Sequence, residues 1–361
     1  MPRPEQDCLK LTTYFGERDR TERRLLADEL LDLYGRHEIA ASVLLRGVEG
    51  FGVKHHLHTD RLLTLSEDLP LVSVAVDTRE RVERMLPDVM AIKRRGLVTL
   101  ERARLLTGDA LAGSPSEGRD EATKLTVYLG RQEQVGPAPA FVAICDLLHR
   151  RGLAGATVLL GVDGTLRGQR QRARFFGRNA DVPLMLISVG PGEQIAAVLP
   201  ELEAMLAAPL LTLERVRVCK RDGQLLERPR EVPGTDEHGL ELWQKLMIHT
   251  SEAARAGTRP VHRELIRRLR HAEISGATTL RGIWGFHGDH APHGDRVPQL
   301  RRHVPVVTTV VDTPERIAGA FAIVDELTRE RGLVTSEIVP AAAALRADSR
   351  RARLRLAGHQ P

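Results

Sequence analysis

From Leu9 to Gly16 apolar and polar residues alternate, the period of a strand with two unlike faces. Leu26, Leu30 and Leu33 then recur at helical spacing across residues 21–36, which predicts an amphipathic helix. Ala40 to Leu45 reads as a second strand, and a polar loop runs from Val48 to Leu69. Leu71 to Val76 is apolar almost throughout and reads as a central strand. Asp77-Thr78-Arg79-Glu80 is a helix start, followed by the apolar stripe Val82, Met85, Leu86 and Val89. Gly96 stops that helix, and Leu97 to Leu100 is a fourth strand. The order is strand, helix, strand, strand, helix, strand: the split βαβ of an α+β fold.

The chain writes this pattern three times. Its clearest repeat is a strand ending in a glycine pair: Leu45-Arg46-Gly47-Val48-Glu49-Gly50-Phe51-Gly52, Leu159-Leu160-Gly161-Val162-Asp163-Gly164, and Leu280-Arg281-Gly282-Ile283-Trp284-Gly285-Phe286. A polar loop follows each, closed by Pro70, Pro183 and Pro305. Thr313 before Pro314 reads as an N-cap with proline at the first helical position. The expected domains are residues 1–110, 122–220 (divergent) and 239–347, with a charged tail at 348–361. The segments 107–121 and 220–239 read as exposed linkers.

Composition narrows the class. A hydrophobic share of 42% suits a soluble globular chain, and aromatics at 3% leave the cores to aliphatic residues. Cys8, Cys145 and Cys219 lack metal-ligand spacing and suggest a reducing, cytoplasmic setting. No apolar run is long enough to span a bilayer, and the first residues carry no apolar leader. The net charge of +5 is small, and no aromatics interleave the arginine clusters, so a nucleic-acid partner is not expected.

Candidate chemistry gathers at the loops. Gly47, Gly50, Gly282 and Gly285 either serve a sharp strand end or form a nest of N–H groups for phosphate, with Arg46 and Arg281 as forks beside it. Copies one and three align without a gap across their loops, placing His55 over His290, His58 over His293, Asp60 over Asp295 and Arg61 over Arg296. Copy three adds His287. His55, His58, His287, His290 and His293 are candidate zinc or copper ligands. His58, Arg61, His293 and Arg296, with Phe51, Gly52 and Phe286, are candidate ligand contacts. Copy two replaces the arginine with Leu160 and has no histidine in its loop, so the clefts are expected to be unequal. No nucleophile elbow, Walker loop or HExxH is present, so an enzyme is not expected.

The Arg-Gly-x-x-Gly-Phe strand end, the Leu65-Ser66-Glu67-Asp68-Leu69-Pro70 run and Val76-Asp77-Thr78-Arg79-Glu80 resemble the uncharacterised domain-of-unknown-function 190 family, placed among PII-like proteins with PII signalling proteins and CutA as relatives. The resemblance implies three tandem ferredoxin-like (βαββαβ) PII-like domains arranged as a pseudo-trimer within one chain. It implies a ligand-sensing or regulatory protein that binds a small anionic molecule, a nucleotide being one candidate, in clefts between domains. The regulated partner would be a membrane transporter or another protein, and a higher oligomer is compatible. The alternatives are a CutA-like metal binder using the loop histidines, and a ligand-free scaffold.

Overall fold

The computed structural model describes residues 6–22, 24–52, 57–59, 68–107, 122–172, 182–287, 292–294, 304–345 and 354–358. Copy one holds β1 (Gln6–Gly16), α1 (Leu26–Arg36), β2 (Ala41–Phe51), β3 (Leu57–Thr59), β4 (Pro70–Thr78), α2 (Arg79–Ile92) and β5 (Gly96–Thr107). Copy two holds β6 (Ala122–Gly130), β7 (Gln134–Val135), β8 (Ala138–Pro139), α3 (Ala140–Arg150), β9 (Gly155–Leu166), β10 (Gln169–Arg172), β11 (Pro183–Pro191), α4 (Gly192–Met205), β12 (Leu210–Arg221) and β13 (Gln224–Leu225). Copy three holds β14 (Trp243–Ser251), β15 (Arg255–Ala256), β16 (Arg259–Pro260), α5 (Val261–His271), β17 (Ala277–Arg281), β18 (Trp284–His287), β19 (His293–Gly294), β20 (Pro305–Asp312), α6 (Pro314–Leu327), β21 (Leu333–Val339) and β22 (Ala341–Leu345).

The expectation of three ferredoxin-like α+β domains set side by side as a pseudo-trimer is overturned by the strand pairing. Among the described residues, eighteen strands from all three copies form one antiparallel sheet that closes on itself. The physical reason is strand length. The sequence pattern ends the second strand of copy one at Leu45 and the last at Leu100, but the backbone continues to Phe51 and Thr107. Those extensions pair with neighbouring copies. The end of β2 pairs with β17, its beginning with β9, and the beginning of β9 with β18. The closing strands do likewise: β5 with β12 and β22, and β12 with β21. These long strands therefore spend their edge hydrogen bonds on other copies rather than presenting them to solvent.

Helices cover the outside. The predicted stripe of α2 is buried, with Val82, Met85 and Val89 at 0% exposure. Asp77 does more than open α2: its carboxylate accepts the Ala40 and Thr78 amides at 2.8 and 2.7 Å. Asp312 repeats this with Ser275 and Thr313 at 2.7 and 2.8 Å. Thr313 caps α6 by position, without a side-chain hydrogen bond.

Each helical core takes side chains from a neighbour. Phe51 of copy one packs among Leu265, Ile266 and Phe321 of copy three. Phe286 of copy three packs among Ile144, Leu148 and Val158 of copy two. Ala341, Ala343 and Leu345 of copy three lie in the core of copy one. A further apolar cluster inside the closed sheet draws Leu45, Val72, Tyr128, Leu159, Met185, Met247 and Leu280 from all three copies.

Candidate functional site

At the middle of the closed sheet, β1, β6 and β14 each contribute one lysine, and β5, β12 and β21 each contribute one glutamate. Lys10 bridges Glu101 at 2.9 Å and also contacts Glu214. Lys124 bridges Glu214 at 3.2 Å and Glu337 at 2.5 Å. Lys245 bridges Glu337 at 2.8 Å and contacts Glu101. Six charges of alternating sign thus close a ring, and no side chain in it is more than 8% exposed. Burial pushes the Glu337 carboxyl up, but the ammonium charges of Lys124, Lys245 and Lys10 outweigh it and hold the group at about 2. The same balance holds Glu101 well below the usual carboxylate range. Carboxylate oxygens of Glu101, Glu214 and Glu337 lie within 4.8 Å of one another, a spacing suited to a cation. Three ammonium groups already occupy that role.

The ring has a mouth. A cavity of about 260 Å³ opens where β5, β12 and β21 converge. Arg102, Arg104, Arg215, Arg217 and Arg230 line it, together with Asp7, Glu214 and Glu337. The two glutamates are engaged by ring lysines, and Asp7 lies 3.6 Å from Arg79. Five arginines thus stand with three carboxylates at the lining. Arg102 donates to the Ala357 carbonyl at 2.7 Å. Partial burial and then the neighbouring Arg79 charge push its guanidinium below its usual range. Arg217 pairs with Glu227 at 2.5 Å. Oε1 of Glu214 and of Glu337 are buried acceptors with no donor among the described residues. On the inner side of the ring a smaller cavity, about 50 Å³, is lined by Lys10, Lys124, Lys245, Thr12, Thr126, Tyr14 and Tyr128.

The glycine pairs mark where second strands cross between copies. A Cβ on Gly50 would stand 2.8 Å from the Ala277 carbonyl oxygen of copy three. One on Gly285 would run into Ala156 O of copy two, and one on Gly164 into Ser42 O of copy one. The first glycine of each pair packs on the proline that opens its own third strand: Gly47 on Pro70, Gly161 on Pro183, Gly282 on Pro305. Arg46 is exposed and donates to both oxygens of Glu17, at 2.6 and 2.7 Å. Arg281, half-buried, pairs with Glu252 at 3.0 Å. Phe51 and Phe286 are core residues, 3% and 2% exposed, and Phe286 meets His149 edge-on at 5.1 Å. Gly52 lies exposed just beyond β2.

His58 stands opposite Gly50 in register, and His293 opposite Gly285. The gapless alignment of the two loops therefore holds in space at this point. His287 ends β18, half-buried, opposite Gly155. His55, Arg61, His290 and Arg296 lie outside the described residues. The ring and its mouth were not singled out by pattern reading, although their signal is present. Lys10, Lys124 and Lys245 each precede Leu in a first strand, and Glu101, Glu214 and Glu337 each follow a Thr-x motif in a last strand. Lys220, placed in a linker by composition, is 1% exposed and donates to the Asp325 carbonyl at 2.8 Å.

A family model described as an uncharacterized ACR matches residues 8–105, 122–218 and 243–341. A UPF0166 protein of Methanocaldococcus jannaschii is 28% identical over 100 residues, 27% of this chain and 92% of its own length. A UPF0166 protein of Aquifex aeolicus is 30% identical over 95 residues, 26% of this chain and 88% of its own. These relatives correspond in length to one copy. Among solved structures, aspartate kinase from Synechocystis overlaps 94% of this chain and 44% of its own at 12% identity. Its TM-score of 0.24 carries no argument about fold.

Proposed function

The chain belongs to the DUF190 family, in three copies, and from that premise we propose that it is a binding protein for a small anionic molecule, with a regulatory rather than a catalytic role. The observation that carries this is the cavity at the ring's mouth, where five arginines from copies one and two and the segment after them meet. Guanidinium groups suit phosphate and carboxylate through their planar fork. The neutral ring beneath supplies no net charge to cancel theirs. The site also supports a regulatory reading. The segment 354–358 is fastened to its rim through Arg102 and through the Ala357 amide on Pro340 O at 2.8 Å. An occupant competing for Arg102 would change how that segment is held.

The test is thermal and urea unfolding in inorganic phosphate, pyrophosphate and citrate at fixed ionic strength. A ligand at a hundred times its Kd adds roughly 2.7 kcal/mol to stability. The expected result is stabilisation by at least one anion, and its loss in Arg104→Ala/Arg217→Ala. Equal stabilisation of parent and variant, or none by any of the three anions, overturns the reading.

A further inference from the structure

The three copies do not furnish the mouth alike. After the ring glutamate, copy one continues Glu101-Arg102-Ala103-Arg104 and copy two Glu214-Arg215-Val216-Arg217. Copy three reads Glu337-Ile338-Val339-Pro340. Both sites that carry arginine in two copies therefore carry Ile338 and Pro340 in the third, and both of these line the cavity. Ser336 and Gln244 of copy three lie beside them. Three identical Glu-Arg-x-Arg strands would offer an occupant three equal orientations. This lining instead carries paired arginines from two copies and Ile338 and Pro340 from the third, with Glu214 and Glu337 among them.

Two acceptors sharpen the picture. Glu214 and Glu337 each give one oxygen, Oε2, to two lysines. The other oxygen of each is buried and has no donor among the described residues. Both residues are 5% exposed and both line the cavity. A buried carboxylate oxygen asks for a hydrogen-bond donor.

We infer that the mouth takes one molecule per chain, an organic phosphate whose body carries a hydrogen-bond donor. This rests on the anion-binding reading above. The phosphate lies toward Arg102, Arg104, Arg215 and Arg217. The body lies against Ile338 and Pro340, and its donor faces Glu214 or Glu337.

The experiment is calorimetric titration of the full chain with three probes: inorganic phosphate, phenyl phosphate and 4-aminophenyl phosphate. The expected order is phosphate weakest, phenyl phosphate about tenfold tighter through the buried ring, and 4-aminophenyl phosphate tighter again, each saturating at one per chain. Ile338→Arg restores the arginine pattern in copy three. It should leave phosphate binding at least as tight and remove most of the preference for phenyl phosphate. The smaller change Ile338→Ala should weaken the phenyl preference with phosphate unaffected. Phosphate and phenyl phosphate binding equally, or any probe filling three sites, overturns the inference while leaving the anion-binding reading in place. Equal affinity for the two phenyl compounds removes the donor from it. Failure of every probe to bind overturns this inference alone if pyrophosphate or citrate still stabilises the chain, and both readings if neither does.

Discussion

Lys124 and Glu337 meet at 2.5 Å, although one belongs to copy two and the other to copy three, and their side chains are 2% and 4% exposed. Each has a second partner in the ring, so every charge there is balanced from two sides. Removing one member leaves an uncompensated buried charge, which costs about 3–5 kcal/mol. Lys124→Met and Glu337→Gln should each lower the urea midpoint accordingly. The double variant should lose clearly less than the sum of the two. An additive double variant would show that the contact does not couple the copies.

Acid should unfold the chain in two stages. Burial, with the Lys124 charge, pushes His249 down to about 4 from 6.5. Burial, then Arg263, Arg255 and Arg281, does the same to His262. A histidine with a lowered folded value takes up its proton more readily when unfolded. Stability is therefore complete above pH 6.5 and falls as pH drops toward 4. Glu337, at about 2 against 4.5, is a depressed carboxylate, so its contribution is present above pH 4.5 and lost toward pH 2. Urea midpoints at pH 7.5, 5.5 and 4 should decline stepwise; a flat profile across that range would contradict the assignment.

Phe51 ties copy one to copy three through the core of the latter. Phe51→Ala should destabilise by about 3–5 kcal/mol. The loss should be visible as earlier hydrogen exchange in α5 and α6, not in α1 and α2. Exchange changes confined to copy one would place the side chain's role elsewhere.

Two glycines offer a paired control. Gly35 is inside α1, where an added Cβ would meet nothing within 4 Å, so Gly35→Ala should stabilise by about 0.4–1 kcal/mol. Gly50→Ala must push against the Ala277 backbone at 2.8 Å and should destabilise. Thermal midpoints moving in the same direction would contradict the crossing geometry.

The order of elements was legible in each copy because period and punctuation are local. The apolar stripe of α2 and the proline start of α6 needed nothing beyond their own residues. The ring was not legible for a definite reason. Alternation from Leu9 to Thr12 puts Leu9 and Leu11 on one face and Lys10 and Thr12 on the other, and a polar face ordinarily faces water. Here other copies bury it, with Lys10 7% and Thr12 4% exposed. The glycine pairs stood out by repetition, yet their cause lies in carbonyls of another copy. The arginine at the strand end answers instead to its own copy: Arg46 has Glu17 and Arg281 has Glu252, while copy two carries Leu160 and Arg131 in their places.

The strand crossings set a direction around the sheet: Gly50 rests on copy three, Gly285 on copy two and Gly164 on copy one. That circuit is closed by contacts, not by covalent links, and the peptide between copies keeps the three pieces at high local concentration. A proteolytic nick between Leu225 and Trp243 would therefore leave two fragments that stay together until denatured. The same closure makes the order of the copies along the gene and their order around the sheet separable, and a permuted chain beginning at copy two would rebuild the same ring of lysines and glutamates.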